Sequence, residues 1–129
     1  MHTTRVEGGE KERQGDVFQR LAEQLVRART WQAGARWADD AAAIEAMKRK
    51  VPATMTECFE LIERKLLKGP WVMGEQYTIC DPYLFTIGTW IEGDGVDTTK
   101  LPRVMEHRKR MLARPAVQKV VAAEGTQIA

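Results

Sequence analysis

Gly74-Glu75-Gln76-Tyr77-Thr78-Ile79-Cys80-Asp81, running into Pro82-Tyr83-Leu84-Phe85, is the stretch whose reading decides the fold. Its Thr78-x-x-Asp81 spacing predicts a capping box at the start of a helix. The Thr78 hydroxyl is placed to accept from the Asp81 backbone N–H, and the Asp81 carboxylate from the Thr78 N–H. Asp is a shorter stand-in for the usual Glu or Gln, and its charge suits the positive end of the helix dipole. Tyr83, Leu84, Phe85, Ile87, Trp90 and Ile91 follow, with only Thr86, Gly88 and Thr89 between them. A helix apolar nearly all round is a buried one, so this element is expected at the centre of the molecule.

Upstream, Asp16 is a plausible N-cap, and Phe18, Leu21, Leu25, Ala28 and Trp31 recur at helical spacing. They predict a first long helix ending near Trp37 or Ala38. Asp39 and Asp40 open a second helical piece, Ala41 to Lys50. Pro52 either starts a new helix or kinks a continuing one. Met55, Phe59, Ile62 and Leu66 then form one stripe, widened by Cys58 and Leu67, before the Gly69-Pro70 stop.

Downstream, the central helix is expected to end at Gly93, with Asp94-Gly95 as a turn and 96–100 as a loop. A helix from Pro102 carries Leu101, Val104, Met105, Arg108, Met111 and Leu112 on or beside its inner face. Pro115 starts a last helix with Val117, Val120 and Val121 inward, ending at Gly125. No segment alternates as a strand does. The expectation is an all-α bundle of five to six helices over residues 16–125, with a polar, flexible leader at 1–15 and a frayed tail at 126–129.

The chain's 129 residues suit one domain, and its 43% hydrophobic and 29% charged content is that of a globular protein. A net charge of +2 argues against a nucleic-acid partner, and no run is long and apolar enough for a membrane span. Cys58 and Cys80 form no CxxC pair and fit a reducing, cytoplasmic location.

From about residue 51 to 125 the chain resembles the C-terminal helical domain of glutathione S-transferases, especially bacterial members. The blocks that carry the resemblance are Gly69-Pro70-Trp71-Val72-Met73-Gly74, then Tyr77-Thr78-Ile79-Cys80-Asp81-Pro82-Tyr83-Leu84-Phe85, then Trp90-Ile91-Glu92-Gly93-Asp94-Gly95-Val96-Asp97. Leu101-Pro102-Arg103-Val104 and Arg114-Pro115-Ala116-Val117 complete the series in the family's order; residues 16–50 fit by pattern alone. The resemblance implies the helical-bundle fold of that domain. It also implies a departure, because a complete transferase begins with a thioredoxin-like domain that binds glutathione and supplies a Tyr, Ser or Cys to activate its thiol. Only about 15 polar residues precede the first helix here, so the expectation is that this catalytic half lies outside the chain. Pro82 is a smaller departure: at the fourth helical position it removes a bond to the Thr78 carbonyl and takes the place of an apolar staple partner for Tyr77.

Set against that background, Thr78 and Asp81 are structural capping residues, with no catalytic part. Cys80 and Cys58 read as buried, inert thiols. His107 sits in the charged run Glu106-His107-Arg108-Lys109-Arg110, which reads as a solvated face, as does Lys48-Arg49-Lys50. Trp71 and Trp90 are core. Trp31 and Trp37 are the substrate-cleft candidates, because in the family the first helix faces the catalytic domain. No metal or cofactor site is expected in this chain, glutathione being the co-substrate of the complete enzyme. Two functions are open: the substrate-cleft half of a glutathione-conjugating enzyme, inactive alone, or a non-enzymatic interaction or dimerisation module. The corresponding partners are a thioredoxin-like domain or a second copy.

Overall fold

A computed structural model describes residues 2–125, with side chains from residue 13 onward; the expected frayed tail lies outside the described residues. Five α-helices account for most of it: α1 (His2–Arg29), α2 (Ala41–Leu61), α3 (Cys80–Gly88), α4 (Pro102–Leu112) and α5 (Pro115–Glu124). The only extended pairing among the described residues is an isolated bridge between Trp71 and Gly74. The fold is all-α.

α1 begins upstream of Asp16, where the cap had been expected, and runs through much of the stretch assigned to a leader. Phe18, Leu21, Ala22 and Leu25 line its buried face at the spacing of one helical stripe. It stops at Arg29, earlier than the sequence suggests, and passes into a 3₁₀ turn, Thr30–Arg36, kinked at Ala33. Gly34 lets this turn approach α2 closely, since a Cβ there would lie 3.2 Å from the Ile44 side chain. Asp40 then caps α2, accepting from the Ala42 N–H at 3.4 Å. α2 continues straight through Pro52, which settles that ambiguity.

A π-helical turn, Ile62–Leu66, ends this segment, closed by the Leu67 N–H donating to the Ile62 carbonyl at 2.8 Å. It explains a discrepancy in the core. Strict α-helical periodicity puts Leu66 inside, but the extra residue in the π turn rotates the chain and buries Leu67, leaving Leu66 half-buried.

α3 lies between α1 and α4, and α5 packs on α4. Leu84, Ile87 and Ile91 reach the core. α3 is nonetheless not buried all round: Ile79 ahead of it is 86% exposed and Phe85 is only half-buried. It ends at Gly88, with residues 89–95 continuing as turns, short of the expected Gly93. Pro82 falls at the third residue of α3, in the first turn, where its absent N–H would have had no helical acceptor; Thr78's carbonyl accepts from Asp81 instead, at 3.1 Å. The expected cost of this proline therefore vanishes.

Pro102 starts α4 as expected, and Val104, His107, Arg108 and Met111 form its buried face. α5 buries none of its residues fully: Val117 and Val121 are half-buried and Val120 is exposed, so the three valines are less inward than their spacing suggests. Gly125 closes α5 in the left-handed conformation, φ +63°.

Candidate functional site

Asp81 lies at the centre of the most enclosed polar cluster. Its Oδ2 accepts from the Thr78 N–H at 2.8 Å, one half of the reciprocal arrangement expected from the spacing. The other half differs, because the Thr78 hydroxyl accepts from the Cys80 N–H at 3.3 Å and not from Asp81. With Cys80 as the first helical residue, that donor is the nearer orphan. Asp81 Oδ1 reaches further, accepting from the Val72 N–H at 2.8 Å and meeting His107 Nε2 at 2.9 Å.

His107 is therefore no part of a solvated face: both it and Asp81 are at most 1% exposed, and the Trp71 ring stands edge-on to the imidazole at 6.0 Å. Arg108 is likewise buried, pairing with Glu92 at 2.5 Å and donating to the Gly88 carbonyl. The signal for both was present in the sequence. Positions 104, 107, 108 and 111 share one helical face, and the run of charges around them concealed it. An Asp–His pair closed off in this way offers substrate no approach; what it joins is the 67–74 connector, the start of α3 and the middle of α4.

Glu63 was missed altogether. From the π turn its Oε1 and Oε2 accept from the Arg103 and Val104 N–H groups, each at 2.7 Å, capping α4 from 40 residues away. The Arg103 guanidinium returns to the Glu63 carbonyl at 2.8 Å and to the Leu67 carbonyl. No local pattern marks a cap supplied from another element.

The cysteines do not form a nucleophilic centre. Cys58 is buried, and its thiol is pushed up first by burial and then by Glu57. Cys80 is half-buried, not fully as expected; burial again raises its thiol, partly offset by a hydrogen bond with Thr78, with Asp81 adding to the rise. Both are protonated at neutral pH and so poor nucleophiles. Among the described residues no three His, Cys, Asp or Glu side chains gather as a metal site.

The site with room for a ligand lies between α1 and α2. It is a cleft of about 220 Å³ with Val51 and Ala28 beneath and the Trp31 indole, 42% exposed, as one wall. Arg27, Lys50 and Gln24 are its exposed residues, and Thr54 adds a half-buried hydroxyl. The structure separates the two tryptophan candidates, since Trp37 does not line this cleft and stands 63% exposed beyond the 3₁₀ turn. Trp71 and Trp90, assigned to the core, are both half-buried. Trp90 carries the Arg29 guanidinium over its ring at 4.6 Å, and Trp71 packs edge-on against Tyr77.

No protein-family model matches the chain. It is 31% identical over 81 residues to glutathione S-transferase GstA of Escherichia coli O157:H7, an alignment covering 63% of this chain and 40% of the relative. Among solved structures it is similar to a crystal structure of a glutathione transferase homologue from Sulfitobacter with bound glutathione. That match has a TM-score of 0.82 and 32% identity, covering 92% of this chain and 64% of the other. The chain thus spans less than two thirds of the length of either protein. No described helix is long and apolar enough to cross a membrane.

Proposed function

For a chain that belongs to the glutathione S-transferase family and has the fold of its C-terminal helical domain, we propose that it supplies the substrate-cleft wall of a glutathione-conjugating enzyme. The observation that carries this reading is the α1–α2 cleft, with an accessible indole over an apolar floor. Such a surface holds and orients an electrophile without acting as acid, base or nucleophile. Glutathione is held and its thiol activated by a thioredoxin-like domain, and that pairing takes place in the cytoplasm, where two unpaired cysteines persist as thiols. The protonated state of Cys58 and Cys80 supports the chain's lacking a nucleophile of its own. The test is glutathione conjugation to 1-chloro-2,4-dinitrobenzene by the 129-residue chain alone. No turnover above the uncatalysed rate is expected, and turnover would overturn the assignment of the chemistry to another domain.

A second reading, an interaction or dimerisation module, is favoured by a separate observation. Val26, Ile79, Tyr83 and Trp90 line an open groove of about 320 Å³ between α1 and α3, with Ile79 almost fully exposed. Apolar surface of this kind suits a thioredoxin-like domain or a second copy. Light scattering on the eluting chain decides between self-association and a monomer, and a monomer at high concentration counts against the dimer.

A further inference from the structure

We propose that the α1–α2 cleft selects a small aromatic ligand that carries an anionic group, a carboxylate being the simplest. The inference rests on the reading of that cleft as the electrophile's site and adds the class of compound it prefers. Two cationic side chains, Arg27 from α1 and Lys50 from α2, line the same small cleft, and no acidic residue lines it with them. Neither makes an ion pair or a side-chain hydrogen bond among the described residues. The other cleft-facing surface is apolar or neutral: Ala28, Val51, the Trp31 indole, and the uncharged Gln24 and Thr54.

Two like charges converging on one hollow repel each other, and an anion placed between them relieves that repulsion while gaining attraction from both. The Trp31 face and the Val51–Ala28 floor meanwhile take a flat apolar body. Size limits that body. At about 220 Å³ the cleft is below the roughly 300–1,000 Å³ of drug-sized sites, so it suits one substituted ring. The ligand is therefore a ring with a charged edge turned towards solvent and the two cations.

The experiment compares two chlorinated nitroaromatics of matched shape. 4-Chloro-3-nitrobenzoate carries a carboxylate where 1-chloro-2,4-dinitrobenzene has its second nitro group. Each is titrated into the full chain without glutathione, following the Trp31 indole N–H by NMR, assigned with Trp31→Phe. The carboxylate is expected to bind about tenfold more tightly, the order a favourable charge contact supplies. The advantage should disappear in the Arg27→Gln/Lys50→Gln double variant and shrink as salt rises from about 0.05 to 0.5 M. Both substituted positions are solvent-exposed, and an unchanged thermal midpoint confirms the variant's fold. Equal affinity for the two compounds overturns the anion preference and leaves the cleft reading standing. A carboxylate preference that survives the double variant places the anion elsewhere and also overturns the proposal. If neither compound moves the Trp31 signal, both the preference and the cleft reading fall.

Discussion

Asp81 Oδ1 and His107 Nε2 are 2.9 Å apart across 26 residues of sequence, in a position almost closed to solvent. The same carboxylate accepts from the Val72 and Thr78 backbone N–H groups. Its position in the sequence marks it as a helix cap; its partners make it the junction of three segments.

That difference has a measurable size. An exposed cap residue replaced by Ala loses about 0.5–2 kcal/mol, whereas removing one partner of a buried polar pair costs about 3–5 kcal/mol. Asp81→Ala is expected in the second range by urea denaturation. A double-mutant cycle with His107→Ala should show coupling of at least about 1 kcal/mol. Simple additivity would mean that the pair is close in space and energetically independent.

Glu63→Gln removes the charge from the α4 cap and turns an amide N–H₂ towards a backbone donor. A loss of about 1–3 kcal/mol follows from the strength of charge-assisted caps. The specific readout is hydrogen exchange at the Arg103 and Val104 amides, which now donate to Glu63. Faster exchange there is expected, and unchanged protection would show that α4 starts without help from the π turn.

Arg29 and Asp94 make an asymmetric pair. Asp94 is buried, with Arg29 Nε at 3.2 Å from an Oδ2 that lacks a well-directed hydrogen bond. Burial raises the Asp94 carboxyl above 3.8, and Arg29 offsets only part of the rise. The folded state therefore disfavours the charged form, and the penalty is present above the folded pKa and relieved as pH falls through it. At neutral pH Asp94→Asn should leave the midpoint equal or raised, and Arg29→Ala should lower it. A clear loss in Asp94→Asn would mean that the attraction outweighs burial.

Glu92 works in the opposite sense. The hydrogen bond from Arg108 is the main cause holding its carboxyl below the ordinary 4.5. A lowered folded value contributes stability that is complete above the unfolded pKa and lost as pH falls through the folded one. Stability curves of the parent and of Glu92→Gln should therefore converge below about pH 4.5 and separate above it. Parallel curves across that range would deny the linkage.

Wherever one helix's own pattern sufficed, the fold was legible in the sequence. Phe18 to Leu25, Met55 to Ile62 and the proline-started helices α4 and α5 fall where periodicity and stop signals put them. What escaped was set by tertiary partners. Ion pairs buried Arg108, and Asp81 buried His107, although their neighbours in the chain look solvated. Glu63 finds its role in a helix that starts 39 residues later. At the cleft, the sequence could name Trp31 as a candidate. It could not separate Trp31 from Trp37, because the 3₁₀ turn between them sends one indole towards α2 and leaves the other in solvent.

The π turn at Ile62–Leu66 makes chain length at this point a matter of direction. Removing one residue there would restore an ordinary helix of the same pitch as α2, and every residue beyond would arrive about 100° out of phase about the helix axis. Leu67, now buried, would swing away from the core, and the Leu67 carbonyl would leave the Arg103 guanidinium. A single-residue deletion at 62–66 should therefore be far less tolerated than one in the exposed Glu75–Gln76 loop. Homologous domains free to vary in length elsewhere would be held to one count here.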